Sequence, residues 1–90
     1  MDPTVRINQR VDVVASFKSK GTRQTLCYPC KMRYRNQIIE FEELALRHET
    51  LKGDRMLHVF HMSDGSNDYR LEFDAAALTW TLTETIAGNH

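Results

Sequence analysis

Two thiols separated by two residues are the most chemically suggestive feature of the sequence. Cys27 and Cys30 form a Cys-x-x-Cys pair. Redox dithiols use this spacing when the first thiol begins a helix, and zinc sites use it when two further ligands complete a tetrahedron. Residues 31–34, directly after the pair, alternate as in a strand, and no βαβ pattern surrounds them. We therefore expect two ordinary, buried or half-buried thiols.

Histidine is the other residue type that completes a metal site with such a pair. His58 and His61 are three apart in a predicted strand, so their side chains point to opposite faces and do not share an ion. His48 falls in a predicted turn and is a freer ligand. The metal candidates are therefore Cys27, Cys30 and His48, in a chain for which we expect no metal and no cofactor.

Side-chain patterns typical of catalysis are missing from the sequence. The serines lie in predicted loops without the pattern of a nucleophile elbow. Glu42 and Glu43 are adjacent in a predicted strand and face opposite ways, so they do not form a carboxylate pair. With only four glycines the chain has no glycine-rich phosphate loop. We expect a protein that acts by binding and not as an enzyme.

The charges are balanced overall but divided between the two halves of the chain. Residues 1–35 hold eight basic and two acidic side chains, and residues 36–90 hold four basic and ten acidic ones. Either basic and acidic strands pair across a sheet, or the arginines form a basic face for an anionic partner. A small barrel binding nucleic acid would combine such a face with stacking aromatics. The residues suited to this role are Arg33, Tyr34, Arg35, Arg47, Arg55 and Arg70.

The dominant period of the sequence is two, which predicts strands. They are expected in a run from Val5 to near Phe17, in a hairpin over 31–44, and over 55–62, 67–74 and 78–83. The composition of residues 42–46 favours a helical turn, but their place between two strand patterns favours a strand with a bulge near Glu42-Glu43. Loops or turns are predicted at 18–24, 48–54 and 63–66, the last a tight Asp-Gly hairpin turn. Asp74 is expected to cap a single helical turn. In the last strand Leu78, Trp80 and Leu82 should face inward and Thr83 outward.

These elements predict an all-β protein with about six strands in an antiparallel meander, forming a small barrel or a strongly bent half-barrel. The core is expected to take most of the aromatic side chains, namely Tyr34, Phe41, Phe60, Tyr69, Phe73 and Trp80. We expect a single β domain over residues 1–90, with an ordered core of about 5–86 and a polar tail over 87–90. The absence of a signal peptide and of a long apolar run predicts a cytoplasmic protein without a membrane segment.

The hairpin from Pro29 to Leu46 and the runs Asp68–Asp74 and Leu78–Leu82 resemble short, uncharacterised bacterial all-β proteins, some of them from small-genome lineages of the Saccharibacteria kind. The resemblance extends roughly from Val5 to Ile86. More distantly, the hairpin followed by Tyr-Arg-Leu and Trp-x-Leu is similar to a small β domain appended to translesion-polymerase-like proteins of bacteria. Neither group implies catalytic residues.

Two functions follow from these observations as expectations. The first is a non-catalytic protein–protein interaction module, with an unknown protein partner or a second copy of the chain at an exposed sheet edge. The alternative is a small β-barrel that binds nucleic acid through its Arg-rich face.

Overall fold

Seven β-strands make up the secondary structure in a computed structural model that describes residues 3–20 and 24–88, the side chains of 18–20 and 24–26 excepted. The strands are β1 (Thr4–Lys20), β2 (Gln24–Tyr34), β3 (Gln37–Glu40), β4 (Glu43–Lys52), β5 (Arg55–Ser63), β6 (Asn67–Asp74) and β7 (Thr79–Ala87). The all-β prediction is confirmed. The predicted loop at 18–24 is wrong at both of its ends, because β1 extends to Lys20 and β2 begins at Gln24; its middle lies outside the described residues, as does the end of the predicted tail.

The seven strands form one antiparallel sheet in the order β3-β2-β1-β7-β6-β5-β4. This is an up-and-down order that is interrupted between β3 and β4, so those two strands are the sheet edges. The sheet is therefore open, so the small barrel, the first of the two predicted forms, is not found. The strand count is seven, not six.

The additional strand arises at a two-residue linker between β3 and β4. The Phe41 N–H donates to the carbonyl of Cys30 on β2 at 2.9 Å, and the Glu42 N–H donates to the carbonyl of Ser63 on β5 at 2.8 Å. The chain thus leaves one hydrogen-bonded ladder and joins another within two residues, which ends the predicted hairpin arm at Glu40. The expected bulge lies at Ala45, where the register between β4 and β5 shifts.

The long first strand belongs to two ladders. Its N-terminal half, up to Val11, pairs with β7, and its remainder, from Asp12, pairs with β2. Three strands lie between Met32 on β2 and Phe60 on β5 in the sheet order, and yet both residues are in one buried cluster. The sheet must therefore curl, and we call the face that carries this cluster the inner face.

The inner face carries the core. Phe60, Leu71 and Leu82 are opposite one another on β5, β6 and β7 and are completely buried. The ring of Phe73 stacks on Trp80 with the centroids 4.6 Å apart. Four of the six expected core aromatics are buried, and the other two, Tyr34 and Phe41, are half-buried against the same cluster.

Two side chains of the last strand do not face as predicted. Leu78 is 76% exposed, because it ends the turn before β7 with a φ of +57°. Thr83 is buried, because β7 bulges there: Leu71 lies opposite Leu82 while Arg70 lies opposite Glu84. The Thr83 hydroxyl donates to the Arg70 carbonyl at 3.0 Å, which satisfies a polar atom that burial would otherwise leave unpaired.

The turns follow the predictions in part. Gly65 has a φ of +95° in the hairpin turn between β5 and β6, as the Asp-Gly pair predicts. Asp74 Oδ1 accepts hydrogen bonds from the N–H groups of Ala76 and Ala77, as predicted for a cap, but residues 75–78 form a turn and not the predicted helical turn. The predicted turn over 48–54 is wrong except at its end, because β4 continues to Lys52.

No helix long and apolar enough to cross a membrane occurs among the described residues.

Candidate functional site

A gap between β2 and β4 is the feature of this fold most suited to binding. β3 pairs only with residues 31–34 of β2, and β4 pairs only with β5. Residues 24–27 of β2 and the whole of β4 therefore pair with a neighbouring strand on one side only. We call this gap, with its two facing strand edges, the seam. Within the described residues no strand pairing crosses it.

The β2 side of the seam is shaped by Pro29. This residue is completely buried at a register shift, where Ala15 lies opposite Pro29 and Val14 lies opposite Lys31. Proline has no N–H to donate and is found in sheets at edges and bulges. Pro29 and the extra residue Cys30 thus interrupt the edge of β2 where the linker crosses it.

Two cavities lie along the seam, each lined by β2 and by β4. The first, which we call the linker cavity, encloses about 290 Å³. It is lined by Tyr28, Pro29, Cys30, Phe41, Glu42, Glu43, Leu44 and Met62. The second, the aromatic cavity, encloses about 190 Å³ on the inner face. Its lining residues are Phe17, Cys27, Arg47, His58, Phe60 and Phe73.

Arg47 is the cation of the aromatic cavity. Its guanidinium carbon lies 5.6 Å from the centre of the Phe60 ring, a distance typical of a cation–π contact. His58 faces the same cavity, with its ring 6.3 Å from Phe73 and its Nδ1 3.8 Å from the Glu49 carboxylate. That Nδ1 is buried and makes no hydrogen bond. The cavity therefore combines aromatic side chains with the cationic side chain of Arg47.

The two thiols lie on the β2 side of the seam and are not joined as a disulfide. Burial raises the pKa of the Cys27 thiol, and nearby Cys30 also raises it, although Arg47 acts in the opposite direction. Cys27 is thus a neutral thiol at neutral pH. Cys30 is half-buried at the bulge and lines the linker cavity.

The metal candidates are not brought together. His48 is in β4 and not in a turn, and its ring lies 5.7 Å from that of His61. Cys27 and His58 are on the inner face, whereas His48 and His61 are on the outer face, so the prediction that His58 and His61 face opposite ways is confirmed. Among the described residues no three acidic, histidine or cysteine side chains are grouped to hold a metal ion.

The predicted nucleic-acid residues are distributed over several surfaces. Arg33 lies opposite Asp12 in the β1–β2 ladder, Arg55 is 3.3 Å from Asp74, and Arg70 is 4.0 Å from Glu84. Cations on these strands therefore alternate with carboxylates.

The remaining predicted residues lie at different places. Arg35 is in the β2–β3 turn, with its guanidinium 5.2 Å from the ring of Tyr34, which packs against the core. Arg47 alone among the six lines the seam. Sequence reasoning did not single out Phe17, Glu49 or the role of Phe73 in the cavity, since their contribution depends on how the sheet curls. The one available signal was that a large apolar residue, Phe17, ends the predicted first strand.

Comparisons with profiles of known protein families, with curated proteins and with solved structures find no match to this chain. The seam is therefore the feature from which a function is inferred.

Proposed function

We propose that this protein is an interaction module that binds an extended peptide segment in the seam by strand addition. The observation that carries the proposal is the pair of unpaired edges, β2 and β4, facing each other across two cavities. An extended segment in an open sheet gains main-chain hydrogen bonds, and its alternate side chains enter pockets. Because five antiparallel pairings separate β2 from β4, the two edges run in opposite directions, and the segment would pair antiparallel with one edge and parallel with the other.

The β4 edge offers donors at known positions. Lys52 and Arg55 are opposite each other across the two-residue Gly53-Asp54 turn, so this pair exchanges hydrogen bonds. Bonding alternates along an antiparallel pair, so the N–H groups of Leu51, Glu49 and Arg47 point away from β5 and into the seam. These three residues would make the main-chain contacts.

A single extended segment fits this site better than a second copy of the chain. The β4 of a second copy is already bonded to its own β5 on one side. Entering the seam would bring that β5 against β2, whereas an isolated segment has two free edges. The Arg-rich surface supports the nucleic-acid alternative less well, because Arg55 and Arg70 have carboxylate partners.

The test is a selection of binders from a phage-displayed library of unstructured peptides, followed by measurements with Glu49→Pro. Proline at this position removes an N–H that points into the seam and leaves the bonds to β5 intact. Glu49→Ala is the matched control, because it removes the same carboxylate but keeps the N–H. We expect the selected peptides to bind the wild type and Glu49→Ala, and to lose at least about tenfold in affinity for Glu49→Pro.

Hydrogen exchange supplies the second measurement. The amides of residues 47, 49 and 51 should become protected when a selected peptide binds, and those of β6, in the middle of the sheet, should change little. Circular dichroism establishes that Glu49→Pro is folded, and Leu51→Pro replaces it if it is not. Undiminished binding to a folded proline variant would overturn the proposal. So would dimerisation of the free protein in which the same N–H groups form hydrogen bonds to the second copy.

A further inference from the structure

The aromatic cavity has a second possible use that does not depend on strand addition. Its floor is made by Phe60, which is fully buried, and by Phe73, which is held in a stack on Trp80. Phe17, on the rim, is 63% exposed although it is a large apolar side chain. Phe60 has no exposed surface, so Phe73 at the base and Phe17 at the entrance provide the edges and faces for a further aromatic ring.

The cavity also contains a cation without an anionic partner. Among the described residues, no carboxylate lies within ion-pair distance of the Arg47 guanidinium. The nearby carboxylate of Glu49 is directed to His58, and the Cys27 thiol is neutral because burial raises its pKa. A guanidinium that lies against an aromatic face in this way has donors free for a planar anion.

Size restricts the ligand further. The volume of about 190 Å³ is below the roughly 300–1,000 Å³ typical of sites for drug-sized molecules. An apolar cavity of about 150 Å³ is large enough for benzene. One ring with a short acidic substituent therefore fits. The charge of Glu49 disfavours a doubly charged group such as phosphate, and the fork of a single arginine matches a carboxylate.

We propose that the aromatic cavity is a binding site for a small aromatic monocarboxylate. The ring lies between the exposed side chain of Phe17 and the side chain of Phe73, and the carboxylate accepts hydrogen bonds from Arg47.

The experiment is a titration of the full chain with phenylacetate, monitored through the amide chemical shifts of the protein. The same titration with phenylacetamide tests an uncharged probe of the same shape. We expect the acid to bind at least about tenfold more tightly than the amide, because the amide cannot form the charged hydrogen bond between the carboxylate and Arg47. The shifts should be centred on Arg47, His58 and Phe73. Equal binding of the two probes, or no binding at millimolar acid, overturns the proposal.

Two arginine variants identify the cation. Arg47→Gln should reduce phenylacetate binding by about tenfold or more and leave phenylacetamide binding unchanged, which also establishes that the cavity is intact. Arg33→Gln, a matched loss of an exposed arginine on β2 away from the cavity, should change neither. If Arg47→Gln binds the acid as the wild type does, the proposed contact is wrong.

A peptide ending in phenylalanine tests whether the natural ligand is a free acid or the C-terminus of a chain. Tighter binding of the peptide than of phenylacetate would mean that the site recognises a chain end and not a free acid.

Discussion

The phenol of Tyr69 donates a hydrogen bond of 2.8 Å to Asp64 Oδ2. The other carboxylate oxygen, Oδ1, accepts from the N–H groups of Ser66 and Asn67 at 2.8 and 2.7 Å. One carboxylate thus organises the hairpin turn and ties it to a buried ring of the next strand. Burial acts to raise the pKa of Asp64, but these hydrogen bonds outweigh it and lower the pKa. Burial, together with this hydrogen bond, raises the pKa of Tyr69 to about 12.

Removing this hydroxyl should destabilise the protein in a pH-dependent manner. Tyr69→Phe is expected to reduce the free energy of unfolding by about 1–2 kcal/mol at pH 7 in urea titrations. A carboxyl with a lowered native pKa contributes stability that is present above its unfolded value of about 3.9 and is lost as the pH falls through the native value. The difference between wild type and Tyr69→Phe should therefore shrink in strong acid. Tyr34→Phe is the control, because no hydrogen bond of its hydroxyl occurs among the described residues; an equal loss in both variants would contradict the prediction.

The two thiols should differ in reactivity. Cys27 is only 8% exposed and has a pKa raised by burial, whereas Cys30 is half-buried at the bulge of β2. Because the thiolate is the nucleophile, iodoacetamide should modify Cys30 several-fold faster than Cys27 in the native protein at neutral pH. Mass spectrometry of Cys27→Ser and Cys30→Ser assigns the two rates. The prediction fails if both thiols react equally, or if the rates remain different after unfolding in urea.

His61 should make the protein less stable in mild acid. Burial lowers the pKa of His61, and Arg70 and His48 lower it further, although Glu84 acts in the opposite direction. As the pH falls, the unfolded chain therefore takes up this proton before the native protein does. His61 does not reduce the free energy of unfolding above its unfolded pKa of about 6.5, and that free energy then declines as the pH falls through the native pKa. One such group changes the free energy of unfolding by at most about 1.4 kcal/mol per pH unit.

The measurement is urea unfolding between pH 7 and pH 5 for the wild type and for His61→Gln. The variant should show a shallower decline, since glutamine does not take up a proton. His48→Gln is the comparison, because His48 contacts the same ring from β4. A decline as steep in His61→Gln as in the wild type would assign the effect to other groups.

Local features of the sequence determined much of this structure. Alternation in β5 and β6 placed Phe60, Tyr69, Leu71 and Phe73 in the core, because side chains of a strand alternate between its faces. The turn at Asp64-Gly65 and the cap at Asp74 were also predictable, since both depend on the chemistry of a few adjacent residues.

Features that depend on pairing between distant strands were decided only by the tertiary structure. The bulge at Thr83 exists because β7 must match both β1 and β6, and it reverses the facing that simple alternation predicts. The separation of β3 from β4 depends on Phe41 and Glu42 bonding to different strands. Residue types specified the strands, but the non-local ladders specified how the sheet curls. The open seam, with Cys27 and Arg47 on its two sides, is a consequence of that curl.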